Sequence, residues 1–182
     1  MSGPAVEICT DAPPWGLGGW MSVDGQIIKY FACTVSQSDL DIFKIERGSC
    51  DGQQALEGLA ILVALRIWND GADSKRVRLT VKGDNVGALT LLLKMRPSSP
   101  QQAILARELA LVTVRSAFPP IVTHTPGVAN KIADLLSTLE DPSKRNNNVL
   151  MFSSLSKAVR TPVPDRPIQW YRAISVAVPL SK

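Results

Sequence analysis

The 182-residue chain is 45% hydrophobic and 20% charged, so it can bury a core and is not globally disordered. Its net charge of +4 permits a nucleic-acid partner without demanding one: residues 141–182 hold 7 of the 20 Lys and Arg, which leaves 13 basic against 14 acidic groups in the first 140. Three widely spaced cysteines (Cys9, Cys33, Cys50) and one histidine, His124, exclude a disulfide framework and a structural zinc site.

In chain order, residues 6–10 form a short β-prone run that stops at Asp11 and is broken by Ala12-Pro13-Pro14. Residues 16–23 and 26–31 flank Asp24-Gly25, a pair suited to the positive φ angles of a tight hairpin, so the chain opens with about three antiparallel strands. From residue 52 to 68 the apolar spacing becomes helical and covers most of the helix circumference, which predicts a largely buried helix ended by Asn69-Asp70-Gly71. Residues 76–82 alternate strictly as a strand leading to Gly83-Asp84. Helices are predicted over 86–95, stopped by Arg96-Pro97, and over 101–118. A short strand over 120–124 and a last helix over 129–139 complete the pattern. The order βββ-α-β-α-α-β-α implies a mixed α/β (α+β) fold, with an antiparallel meander extended by parallel strands into a five-stranded sheet. Residues 1–140 are expected to form this domain. Residues 141–182, rich in proline and basic groups, are expected to be a tail without its own core, extended or bound to a partner. No apolar run suggests a membrane span, and the N-terminus lacks a signal-peptide layout, so an intracellular setting (cytoplasm or nucleus) is expected.

Four carboxylates stand out. Asp11 and Asp84 fall at strand ends, Glu57 is the only charge between Asp51 and Arg66 on the buried helix, and Asp134 lies early in the last helix. Strand ends of such sheets converge on one crevice, and a helix crossing the sheet can drop Glu57 into it. Acids gathered in this way repel one another unless cations sit between them, and oxygen ligands suit Mg²⁺ or Mn²⁺. Two such ions roughly 4 Å apart support in-line attack on a phosphodiester. Each acid also has an ordinary explanation. Asp11 could simply end a strand, Asp84 could cap a helix, Asp134 could favour the helix dipole, and Glu57 could pair with an Arg or Lys. His124 alone would read as a strand-end residue.

The set resembles the ribonuclease H domains of reverse transcriptases and LTR-type retroelements. Thr10-Asp11-Ala12 through Gly16-Leu17-Gly18 is similar to their opening strand. Glu57-Gly58-Leu59-Ala60 is similar to their acidic helix, and Asp84-Asn85-Val86-Gly87-Ala88 to their D-N-x-x-A turn. His124-Thr125-Pro126-Gly127 through Asn130, Ala133-Asp134 and Leu136-Ser137 is similar to their last block. The resemblance spans about residues 5–140. It implies the ribonuclease H-like fold and hydrolysis of the RNA strand of RNA–DNA hybrids. Asp11, Glu57, Asp84 and Asp134 would hold two Mg²⁺ ions, with Mn²⁺ able to substitute. His124 would assist water delivery or product release, and Asn130 would hold its loop. Gln53, Gln54 and Asn85 would contact substrate, the two glutamines at the minor groove and the 2′-hydroxyl. Only Arg96-Pro97-Ser98-Ser99-Pro100 separates two helices where cellular members carry a basic protrusion, which implies weak unaided binding and reliance on a reverse-transcriptase polymerase domain or another protein partner. In the tail, Trp170 and Tyr171 beside Arg172 could stack on bases, or the tail could be solvated or packed on the domain. The competing reading is a catalytically silent domain of the same fold acting as a nucleic-acid-binding spacer in a larger assembly. A glycine-loop nucleotide site at Gly16-Leu17-Gly18-Gly19 fails because the glycines lead into a strand and no lysine follows.

Overall fold

The computed structural model describes residues 3–68, 78–114, 120–144 and 152–172. Strands β1 (Ala5–Asp11), β2 (Gly16–Val23) and β3 (Gln26–Thr34) form the antiparallel meander. Asp24 and Gly25, at φ 49° and 84°, make the tight turn between the second and third. Strand β4 (Arg78–Gly83) pairs parallel to β1, and β5 (Ile121–His124) pairs parallel to β4. The sheet therefore has the expected mixed character. It carries one strand more than the five expected, because β6 (Val159–Arg160), from the C-terminal segment, pairs parallel to β3 and gives the order β5-β4-β1-β2-β3-β6.

The helices are α1 (Gln37–Phe43), α2 (Gln53–Trp68), α3 (Val86–Lys94), α4 (Pro100–Val114) and α5 (Lys131–Ser137). The short α1 lies outside the predicted order and starts on a capping box in which Ser36 accepts from the Asp39 backbone while Asp39 accepts from the Ser36 backbone. Pro100, read from sequence as part of a stop, instead opens α4, where its missing N–H leaves no hydrogen bond unmade. Helix α5 starts at Lys131 rather than at 129, because Gly127–Ala129 forms a 3-10 turn ahead of it. The predicted stop at residues 69–71, the start of the fourth strand at 76–77, the helix end at 115–118 and the tail beyond 172 lie outside the described residues. No helix among the described residues is long and apolar enough to cross a membrane.

Helix α2 fills the space between one sheet face and the other helices, and every residue from Ala55 to Leu65 is buried. Its Leu56, Leu59 and Leu62 share a cluster with Ile8, Leu17, Phe31 and Val81 of the sheet and with Leu105 and Leu109 of α4. On the opposite face α5 lies against β2 at very close range. A Cβ at Gly16 or Gly18 would overlap the backbone of Ser137, so only glycine at these positions lets the helix settle there.

Of the arrangements that the sequence leaves open for the C-terminal segment, residues 152–172 show packing on the domain. Leu155 is buried with Ala32 and Leu136. Arg166 is buried and grips Asp39 through Nε at 3.1 Å and Nη2 at 2.7 Å, while the Tyr171 hydroxyl donates to the same carboxylate at 2.5 Å. Beyond them, the Arg66 guanidinium stacks over Trp170 at 4.1 Å and pairs with Glu108. Tyr171 belongs to the main core, so packing does not stop at the boundary placed at residue 140. Replacing Arg166 with alanine strands a buried carboxylate and is expected to cost about 3–5 kcal/mol. Urea denaturation of Arg166→Ala against the parent chain measures this, and a loss below about 1 kcal/mol, the level of an exposed pair, would contradict it.

Candidate active site

The parallel pairing of β1 with β4 sets two carboxylates side by side. Asp11 is the last residue of β1, and Asp84 directly follows Gly83 at the end of β4. Helix α2 crosses above these ends and supplies Glu57 just past its first turn. One oxygen from each of Asp11, Glu57 and Asp84 lies within 4.8 Å of the others. Glu57 is 3% exposed and Asp11 8%, while Asp84 is half-buried.

Among the described residues, none of the ion pairs reaches this cluster, since the three formed are Arg66–Glu108, Lys82–Glu7 and Arg166–Asp39. The salt bridge that would have made Glu57 an ordinary buried acid is thus not found there. Burial, followed by the charges of Asp11 and Asp84, pushes the Glu57 carboxyl up to about 9 despite a backbone hydrogen bond from Ala12. Burial also lifts Asp11 to about 6. The hydrogen bond from Ser137 opposes that rise, whereas Asp84 and Asp134 add to it. An oxygen-only set with two buried, uncompensated members fits a hard divalent cation. Asp11, Glu57 and Asp84 are the residues that would hold one.

The other expected residues surround this cluster at different depths. Asp134 is exposed on α5 and lies outside the tight group of three, although its charge is felt at Asp11. His124 is exposed at the end of β5, with Nε2 3.1 Å from the Asp84 carbonyl oxygen. Asn130 is buried. Its backbone N–H closes the turn onto Gly127, its Nδ2 donates to the Thr10 carbonyl at 3.3 Å, and its Oδ1 accepts from the Cys9 thiol at 2.8 Å. Asn85, not Asp84, caps α3 by accepting from the Ala88 N–H at 2.9 Å, which leaves Asp84 free of the capping role. Gln53, Gln54 and Asn85 line an open groove of about 660 Å³ together with Gly52, Ser99 and Gln101. Tyr171 is fully buried and engaged with Asp39, so it is not offered for base stacking, while Trp170 is half-buried with Arg66 over its ring.

Sequence reasoning quoted Ser137 only as the end of a motif and gave it no role. Its hydroxyl donates to Asp11 at 2.5 Å, which ties α5 to the acid that β1 delivers. Gln102 was not singled out at all. It is a buried residue of α4 that donates to the Gln54 carbonyl at 3.0 Å.

No family model and no curated protein matches the chain, but its fold is shared with solved ribonuclease H structures. RNase H1 of the halophilic archaeon Halobacterium salinarum aligns with a TM-score of 0.58 at 19% identity, over 75% of this chain and 96% of that one. LC11-RNase H1, solved in complex with an RNA/DNA hybrid, aligns with a TM-score of 0.59 at 15% identity, over 73% and 94%. The N-terminal RNase H domain of a Mycobacterium tuberculosis protein aligns with a TM-score of 0.54 at 13% identity, over 76% and 92%. The chain therefore has the ribonuclease H-like fold.

The site predicts an unusual pH dependence of stability without metal. Glu57 and Asp11 titrate in the folded chain at about 9 and about 6, above their ordinary 4.5 and 3.8. The folded state then binds more protons than the unfolded chain across that span, so stability is fully present at the acid end and is lost as pH rises through the folded values. In chelator, the melting temperature should fall from about pH 5 to about pH 9, more shallowly in Glu57→Gln, and added Mg²⁺ should restore it at the alkaline end. Parallel melting curves for the two proteins would sink this account.

Proposed function

We propose that this chain is a ribonuclease H, an endonuclease that hydrolyses the RNA strand of RNA–DNA hybrids, with Asp11, Glu57, Asp84 and Asp134 holding two Mg²⁺ ions. The observation that carries the reading is the juxtaposition of Asp11, Glu57 and Asp84 within 4.8 Å, with no ion pair to any of them among the described residues. They stand at the strand ends of a fold shared with RNase H1 structures, one of which holds an RNA/DNA hybrid. Asp134, exposed and with its charge felt at Asp11, would join the cluster as a fourth ligand.

The ions would lower the cost of forming a water nucleophile and of the negative charge on the leaving oxygen. The chain's own residues fix where this happens. Ser137 holds one Asp11 oxygen and aims the other, and Asn130 ties the start of α5 to β1 so that Asp134 stays near. His124, exposed and within reach of the Asp84 carbonyl, would assist water delivery or product release at the mouth of the site. Gln53, Gln54 and Asn85 line the groove that would take the minor-groove side of the hybrid, where the 2′-hydroxyl marks the RNA strand.

The near-neutral balance of the first 140 residues and the short connection between α3 and α4 support weak unaided binding. We place the chain beside a polymerase domain of the reverse-transcriptase kind, which would supply the missing grip. Tight unaided binding of hybrid at physiological salt would refute that dependence.

The decisive experiment is cleavage of a hybrid labelled on either strand with Mg²⁺ or Mn²⁺. Only the RNA strand should be cut, and Asp84→Asn should abolish the cutting. Intact hybrid binding without any cleavage would instead make the chain a silent spacer. His124→Ala should lower kcat while leaving Mg²⁺ affinity, read by calorimetry, unchanged; a loss of metal binding would assign His124 a different role.

A further inference from the structure

Gln102 lies in the first turn of α4 and is only 4% exposed. A buried carboxamide has to place both a carbonyl and an amino group. The backbone of Ser98 settles which is which. A backbone N–H can only donate, so the atom it meets at 2.8 Å is the carbonyl oxygen Oε1, which also accepts the Ser98 hydroxyl at 2.7 Å. The amino group of Gln102 is thereby turned toward Gln54 and donates to its carbonyl oxygen at 3.0 Å. Gln54 is fixed in turn, with its carbonyl facing α4. Its amino group fills the space that a side chain at Gly87 would take, beside the groove.

We propose that Gln102 is a positioning residue that makes Gln54 a donor-only reader of the hybrid, so that recognition is indifferent to base sequence. The inference rests on the ribonuclease reading above and adds a specificity mechanism to it. In the minor groove every base pair shows acceptors, purine N3 and pyrimidine O2, and only G·C pairs add a donor, the guanine amino group. A carboxamide free to turn over reads either kind and so favours guanine wherever its carbonyl can face the groove. A carboxamide whose carbonyl is already committed to Gln102 meets an acceptor at any base pair.

Gln102→Glu is the informative variant. It keeps an acceptor for Ser98 but places a second oxygen where the amino group stood. Gln54 must turn over to donate to that oxygen, and then presents its own carbonyl to the groove. Two readouts follow, one on the protein alone and one on the reaction. The side-chain amide resonances of Gln54 should shift in Gln102→Glu. With Mg²⁺, kcat/KM on an rA·dT hybrid should fall about ten-fold, the loss of one hydrogen bond and carried by KM, while an rG·dC hybrid stays within about two-fold. In a Gln54→Ala background the substitution should add nothing. Gln102→Met, close in volume and uncharged, frees Gln54 and should show the same bias at about two- to three-fold, which covers the case in which the glutamate variant folds poorly. Equal losses on both hybrids, an effect that survives without Gln54, or unmoved Gln54 resonances in an active enzyme would each overturn this inference alone. A parent chain that cuts neither hybrid would overturn the ribonuclease reading and the specificity mechanism with it.

Discussion

Helix α2 has no face for water, and the rest of the chain is arranged around that constraint. From Ala55 to Leu65 every residue is buried, so the helix has to be covered by the sheet on one side and by α3 and α4 on the others. A helix so enclosed can carry a charge only where the enclosure is incomplete. Glu57 occurs where α2 passes over the ends of β1 and β4, a stretch of its path that faces other acids rather than leucines. The depth of the carboxylate follows from core packing, and its raised pKa follows from that depth.

The site is fixed from both faces of the sheet. Above it, α2 sets Glu57. Below it, the contact of α5 on Gly16 and Gly18 brings the Ser137 hydroxyl onto Asp11. The treatment of buried acids elsewhere is the telling contrast. Asp39 receives Arg166 and the Tyr171 hydroxyl, and Glu108 receives Arg66, so the two most deeply buried anions away from the strand ends each have a guanidinium. Asp11 and Glu57 have none among the described residues. A chain that compensates two buried acids with arginine and, among the described residues, forms no ion pair to the trio at the strand ends leaves room there for an external cation.

How much of this was legible in the sequence varies from element to element. Strand alternation and the Asp24-Gly25 turn depend only on near neighbours, and they gave the meander and β4 nearly to the residue. The three clustered acids were legible because each stood where an ordinary role fitted poorly, Glu57 most of all. Helix α1 was missed although Ser36 and Asp39 have the spacing of a capping box, since seven residues provide too little periodicity to register. Strand β6 is two residues long and owes its existence to β3, more than a hundred positions away. The composition of the C-terminal segment argued against an independent core. It could not show that Arg166 and Tyr171 would complete someone else's, because their partner Asp39 is fixed by tertiary structure alone. Gln102 was invisible for the same reason. Nothing local distinguishes a glutamine that solvates a helix start from one that orients a second glutamine 48 positions away.

The same packing changes the meaning of the basic C-terminus. A sequence count assigns that segment a cationic surplus and hence an attraction for phosphate. Yet Arg166 is sealed against Asp39, and Arg160 spends one guanidinium nitrogen on the Ala32 carbonyl at 2.9 Å. Both arginines serve to lash the segment to β3 and α1. A charge acts on nucleic acid in proportion to its exposure and to its clustering along the path of the backbone. With Arg166 sealed, the surplus on the surface is smaller than the formal one, and the groove itself is lined by amides, a hydroxyl and the Asp51 carboxylate rather than by cations. Amide readers discriminate well and attract weakly. The carboxylates at the centre of the site also repel phosphate where they ionise, until cations are bound. In the proposed reading, affinity for a hybrid would then come from the metal ions and from a neighbouring domain, which is the physical ground for proposing a partner that holds the duplex.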